Sequence, residues 1–367
     1  MKLHYFFATL SLITLLWCNL TSAYSSRSIS KLFETWTKQN AKTYASEEEK
    51  LHRLKVFEDN FKFVTDHNSQ PNTSYTLALN AFADLSSEEF AASRLGLGHP
   101  SASDSADLLR HRVPFPDTVG VIPPSMDWRR EGAVTEVKDQ GNCNSCWIFS
   151  GIGAIEGINK IATGSLVDLS EQELVDCNGF ARGCDPGWVA NAYKFAIKNR
   201  GIDTESDYPY KARHMQCQKD KLNNRAAAID GYAKVPYGNE DALLKAVAIQ
   251  PVSVLICASD TTFQFYSKGF FTGPCCKGTN HAVLIVAYGT ENETDYWIIK
   301  NSWGKRWGIN GYMFMKRNTG DSRGMCDINL WGTIPIINNK TSSSPYLSAK
   351  YDILNATTMK TATKKSF

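Results

Sequence analysis

Beyond residue 17 the chain has no apolar run approaching the roughly 20 residues a membrane-spanning helix needs, so the mature protein is expected to be soluble. It does not lean toward one charge either: 40 Lys and Arg against 37 Asp and Glu leave a net +3. The basic footprint of a nucleic-acid binder is missing. No internal repeat is present, which excludes a solenoid. Cysteine is absent from about 24 to 121, and histidine is scarce, with only His214 and His281 between 122 and 333. Two scattered histidines beside a single Cys-x-x-Cys cannot assemble a zinc tetrad, so no metal is expected, and nothing calls for an organic cofactor.

The N-terminus carries Lys2 and His4, an apolar stretch from Tyr5 to Trp17 and the small-residue end Thr21-Ser22-Ala23. That pattern predicts a cleaved secretory signal peptide over 1–23, and the stretch is too short for a membrane anchor. Maturation in the secretory pathway favours disulfides. Loss of Cys18 with the signal leaves nine cysteines, at 143, 146, 177, 184, 217, 257, 275, 276 and 326. Nine is odd, so one thiol either bridges to another molecule or is reactive. Asn72, Asn292, Asn339 and Asn355 sit in glycan acceptor patterns. The chain does not end in a KDEL-like signal, which leaves vacuole, lysosome and exterior open as destinations.

Composition divides the rest. From 24 to 121 the chain is polar and helical in pattern: Leu32, Phe33, Trp36 and Tyr44 recur at helical spacing, as do Leu51, Leu54, Phe57, Phe61 and Val64 over Glu47–Asn68. These helices are expected to have no core of their own. A Gly-, Ser- and Pro-rich linker from Gly96 to Pro124 marks a boundary and a protease target. The block 122–333 follows, then a flexible tail over 334–367. Within the block, Cys146–Gly164 reads as an amphipathic helix, with Ile148, Ile152, Ile155, Ile158 and Ile161 on one face. Glu171–Asn178 and Trp188–Arg200 also read as helices. Val252–Cys257, Ala282–Tyr288, Tyr296–Ile299 and Tyr312–Met315 read as strands. A helical half followed by a β half predicts an α+β fold of two subdomains with a cleft between them.

Cys146 opens the long helix, where the helix dipole favours thiolate. His281 stands at the mouth of an apolar strand, 281 − 146 = 135 residues away. Only tertiary structure could bring the two together as nucleophile and base. The surrounding residues are specific. Gln140-Gly-Asn-Cys-Asn-Ser-Cys-Trp147, Asn280-His281-Ala-Val, Asn301-Ser-Trp-Gly304 and Gly183-Cys184-Asp-Pro-Gly187 resemble, in order, the nucleophile, histidine, asparagine and glycine-rich segments of the papain family of cysteine endopeptidases, the plant members most closely. Glu49, Arg53, Phe57, Asn60, Val64 and Asn68, then Asn80, Phe82 and Asp84, resemble the family's two propeptide motifs, with Val64 in an Ile place and Ala78 in a Gly place.

The resemblance implies a papain-like fold, with a helical left subdomain, a β-barrel-like right subdomain and the active-site cleft between. It implies an inhibitory propeptide over 24–121 ahead of a peptidase domain over 122–333. Cys146 would attack the scissile carbonyl, His281 would move the proton, and Asn301 would orient His281 under the shield of Trp303. Gln140 would supply an oxyanion donor, and Gly187 would bind the substrate backbone. Trp188, Leu255, Thr279, Ala282 and Trp331, all uncharged, would line the pocket for the side chain second before the cut. The implied bridges are Cys143–Cys184, Cys177–Cys217 and Cys275–Cys326, which leaves Cys257 and Cys276 to pair or to remain buried thiols. Implied partners are peptide and protein substrates, the chain's own propeptide, and cystatin-like inhibitors. Asn144, Pro186 and Asn280 depart from the family pattern, and the side-chain bulk of the first two would narrow the cleft. Two alternatives follow: a redox enzyme using Cys143-Asn-Ser-Cys146, and a weakly active or inactive homologue serving as a binding protein.

Overall fold

The computed structural model describes residues 28–98, 122–179 and 183–338. The signal segment 1–23, the end of the propeptide linker, Asn339, Asn355 and the tail beyond lie outside the described residues. The chain forms two compact units, 28–70 with 79–86, and 71–78 with 87–338.

The smaller unit is built on two helices, α1 over 28–39 and α2 over Glu47–Ser69. Ser46 and Glu49 fix the start of α2. The Ser46 hydroxyl accepts from the Glu49 amide, while the Glu49 carboxylate accepts from the Ala45 amide at 2.7 Å, a reciprocal cap. The residues at 49, 53, 57, 60 and 64 then share one helical face, and the contacts show why that spacing is needed. Arg53 donates to the Asp84 carbonyl, and the Asn60 amide donates to the carbonyls of Ala83 and Leu85. Between these polar ties Phe57 packs on Phe33 and Trp36, each at 5.3 Å between ring centroids. The helices therefore do own a core, a small aromatic one. Leu51 is not part of it, being 65% exposed. Asp84 turns inward, paired with Lys42 at 2.8 Å and accepting from Tyr44.

The larger unit places helices α3 (Ser87–Arg94), α4 (Cys146–Thr163), α5 (Glu171–Cys177), α6 (Val189–Asn199), α7 (Glu240–Ile249) and α8 (Thr261–Gln264) with a sheet of nine strands among the described residues. These are β1 (Tyr75–Leu77), β2 (Met126–Asp127), β3 (Gly231–Lys234), β4 (Val252–Ile256), β5 (Tyr266–Phe271), β6 (His281–Glu291), β7 (Thr294–Lys300), β8 (Tyr312–Lys316) and β9 (Gly332–Ile336). They run in the order β1-β5-β8-β7-β6-β4-β9-β3, with β2 on β6. The fold is α+β. β9 carries the folded block past residue 333, where a flexible tail was expected to begin: it pairs with β3 through Ile336 opposite Gly231, and Pro335 offers its carbonyl to Gln250. β1 lies in the stretch whose pattern reads as helical, where three residues are too few to show a period.

α4 is buried on nearly every side rather than along one stripe. Two glycines permit this. A Cβ at Gly151 would lie 2.8 Å from Ala192 on α6, and one at Gly153 would lie 2.9 Å from Leu284 on β6. The helix is thereby pressed between the helical half and the sheet, and its first residue opens where the two meet.

Candidate active site

Four disulfides link Cys143–Cys184, Cys177–Cys217, Cys257–Cys276 and Cys275–Cys326, and Cys146 is the one free cysteine among the described residues. With Cys143 bonded to Cys184, the pair 143/146 cannot cycle as a dithiol, and the redox alternative falls.

Cys146 is the first residue of α4. His281 begins β6, whose next residue, Ala282, presents its N–H to the Cys146 sulfur. His281 Nε2 lies 2.9 Å from Asn301 Oδ1, which also accepts from the Ser302 amide at 2.8 Å. An amide oxygen can only accept, so Nε2 carries the proton. Nδ1 is left bare, buried and without a hydrogen bond. The Trp303 ring stacks on the imidazole at 4.6 Å between centroids and only 25° off parallel. It shuts water away from the His281–Asn301 bond. Gln140 is completely buried, its amide oxygen accepting from the Ser302 hydroxyl at 2.7 Å.

A strap formed by residues 94–98 crosses the site. The Gly96 N–H reaches the Cys146 sulfur. Gly96 accepts from the Gly187 amide at 3.0 Å, Gly98 donates to the Gly187 carbonyl at 2.9 Å, and Leu97 donates to the Asn280 carbonyl. Gln140 Nε2 donates to the Arg94 carbonyl at 3.2 Å and to that of Cys143 at 2.9 Å. Ahead of the strap, Phe90 meets Trp303 edge-on at 5.0 Å. The strap thus uses the backbone donors and acceptors that an extended peptide would use. Gly187 must be glycine, since a Cβ there would sit 2.2 Å from the Trp147 indole. At Gly96 a Cβ would lie 2.2 Å from the Asn144 carbonyl oxygen. What crowds the strap is main chain. Pro186 is exposed, and a Cβ at Gly98 would lie 2.9 Å from its carbonyl oxygen, so its ring does not supply the narrowing expected of it. Asn280 points away from the cleft, accepting from Ala258 and donating to Ser259.

Burial under the strap sets the electrostatics. It pushes the Cys146 thiol up to about 11, against the pull of the backbone N–H groups of Ala282 and Gly96. It pushes His281 down to about 4, opposed by the bond to Asn301. Both groups are therefore neutral at pH 7.

The pocket residues do not all converge. Trp188, Leu255 and Trp331 line one cavity of about 130 Å³, with Trp188 and Trp331 edge-to-face at 5.5 Å. Thr279 and Ala282 are not on its wall. Ala282 lines a separate small cavity with Asn301 and Ser302. Nor is the lining uncharged: Lys234, whose ammonium lies 5.6 Å from the Trp331 ring, and Tyr237 belong to it. The signal for Lys234 lay in β3, a short strand that the sequence reading passed over.

Comparison with known proteins agrees with this geometry. The model for papain family cysteine proteases matches residues 122–336, and that for the cathepsin propeptide inhibitor domain matches 33–90. A probable cysteine protease of Arabidopsis thaliana, RDL2, is 47% identical over 86% of this chain and 88% of its own. Vignain of Phaseolus vulgaris is 45% identical over 90% and 91%. The recombinant stem bromelain precursor superposes with a TM-score of 0.78 at 38% identity, covering 85% of this chain and all of that one. The chain belongs to the papain family of cysteine proteases. Within it the chain is a cathepsin L-like proenzyme of the plant type, a cysteine endopeptidase held latent by an inhibitor propeptide.

Proposed function

We propose that Cys146, His281 and Asn301 carry the peptidase reaction, and that residues up to about 121 are removed to expose them. The observation that carries this reading is the bare Nδ1 of His281, held in that tautomer by Asn301 beside the one free thiol among the described residues. With the strap gone, Nδ1 takes the thiol proton. The thiolate at the start of α4, steadied by the helix dipole, attacks the scissile carbonyl. Its oxygen becomes an oxyanion facing the Cys146 N–H and Gln140 Nε2. The imidazolium returns the proton to the leaving amine, and water then hydrolyses the thioester by the same route in reverse. Gly187 pairs with the substrate backbone as it pairs with the strap.

Trp188, Leu255 and Trp331 favour an apolar side chain second before the cut, worth about 1.5–3 kcal/mol on burial. Lys234 adds a like charge against Arg or Lys there. The N-terminal signal sends the precursor into the secretory pathway, toward a vacuole, a lysosome or the exterior. Cystatin-like proteins are the inhibitors to try. Nothing observed favours the inactive alternative.

The test is peptide hydrolysis by the processed enzyme. Cys146→Ala should abolish turnover while keeping the wild-type melting temperature, and substrates with Leu or Val second before the cut should outrun those with Arg. Hydrolysis at the wild-type rate by the alanine variant would remove Cys146 from the mechanism.

A further inference from the structure

Ser145 occupies the N-cap position of α4, where a serine ordinarily accepts from the amides of the first turn. It does not do so. Its fully buried hydroxyl is instead 2.8 Å from the hydroxyl of Tyr210, which in turn donates to the main-chain carbonyl of Gln140 at 2.9 Å. With the Tyr210 proton on Gln140, the Ser145 hydroxyl donates to the Tyr210 oxygen at 2.8 Å and lies farther, at 3.3 Å, from its other acceptor, the Cys143 carbonyl. One phenol oxygen therefore bolts together the two chain segments that would supply the oxyanion donors. It ties the main chain of Gln140 on one side. On the other it ties Ser145, whose carbonyl carbon bears the Cys146 N–H.

Tyr210 is itself held. Its ring packs edge-on against Phe149 at 4.9 Å on the first turn of α4, and its amide donates to the Glu205 carboxylate at 2.8 Å. Burial holds the phenol well above its ordinary value, so it stays a donor throughout the working pH range.

We infer that Tyr210 is a positioning residue for the oxyanion hole: it sets the separation and aim of the Gln140 amide and the Cys146 N–H without touching substrate. The inference rests on the triad reading above, and the experiment separates the two. Tyr210→Phe and Ser145→Ala are made in the full chain, processed with a trace of wild-type enzyme, and compared at equal concentrations of titrated Cys146. Two reagents report different things. A peptide aldehyde adds to the thiol and places an oxygen in the oxyanion position, whereas iodoacetamide alkylates the thiol by displacing iodide and forms no oxyanion.

Tyr210→Phe should lower kcat about 10-fold, less than the roughly 10²–10³ for outright loss of an oxyanion donor, with KM within about twofold. Aldehyde affinity should fall by the same factor, while the iodoacetamide rate stays within about twofold of wild type. Ser145→Ala should shift the same readouts in the same direction, and the double variant should be no worse than the weaker single one, because both cut one link. Unchanged kcat and aldehyde affinity in Tyr210→Phe would overturn the inference. So would a parallel fall in alkylation rate and melting temperature, which would make Tyr210 a support of the fold only. If iodoacetamide fails to label Cys146 in the processed wild type, the triad reading itself is at fault.

Discussion

The two units reach order by different means. The unit of α1 and α2 has no disulfide, and the four aromatic rings of Phe33, Trp36, Tyr44 and Phe57 with a few helix-to-turn hydrogen bonds hold it. The larger unit has four bridges, a nine-stranded sheet and a helix buried on nearly every side. A segment that serves as an inhibitor needs only marginal stability, whereas a peptidase gains from slow local opening. The difference should be visible wherever one unit is stressed without the other.

Phe57→Ala should have the largest effect. Emptying that site costs about 3–5 kcal/mol, comparable to the whole stability of a unit so small. Hydrogen exchange should show α1 and α2 unprotected while α4 and β6 keep their protection. Equal loss in both units would mean that they fold as one body. Replacing Cys177 and Cys217 together by serine opens a loop whose ends are 40 residues apart and should remove about 2–4 kcal/mol from the larger unit. A separate early melting transition of α1 and α2 should stay where it was, and calorimetry would reveal any movement of it.

Acid should act on the strap. The sign follows from His281. Its value is lowered from 6.5 to about 4 under the strap, so the covered state binds fewer protons than the uncovered one. Covering is therefore fully supported above pH 6.5 and loses support as pH falls toward 4. Cys146, pushed up to about 11, contributes the reverse dependence, felt only in alkaline solution. Amide exchange of residues 94–98 in the precursor, corrected for intrinsic rates, should accelerate between pH 6.5 and 4. A flat profile there would exclude His281 as the trigger. The smallest effect belongs to Ser46→Ala, about 1 kcal/mol for loss of an N-cap. It should be seen as earlier melting of α2 alone.

Much of this was readable from residues. The odd cysteine count, a cysteine at a helix start and a histidine at a strand mouth singled out the pair proposed to react, because each depends on local chemistry or simple number. The period of α4 was also plain, but its burial was not: the glycines that admit α6 and β6 act only when those elements arrive. β1 and β3 were too short to show alternation, so Lys234 in the pocket went unnoticed. The core of the small unit was missed because its rings come from two helices and meet only in space.

Sequence alone determined the motif order, the unpaired thiol and the helix–strand division, since these rest on nearest-neighbour chemistry and spacing. Tertiary structure decided the rest. It chose which nitrogen of His281 is bare, by placing Asn301 Oδ1 against the other. It put a glycine strap over the thiol and kept Cys146 and His281 neutral by burial, a property of surroundings rather than of any residue. It also turned Ser145 from a helix cap into a partner of Tyr210, because a hydroxyl 65 residues downstream reached it first.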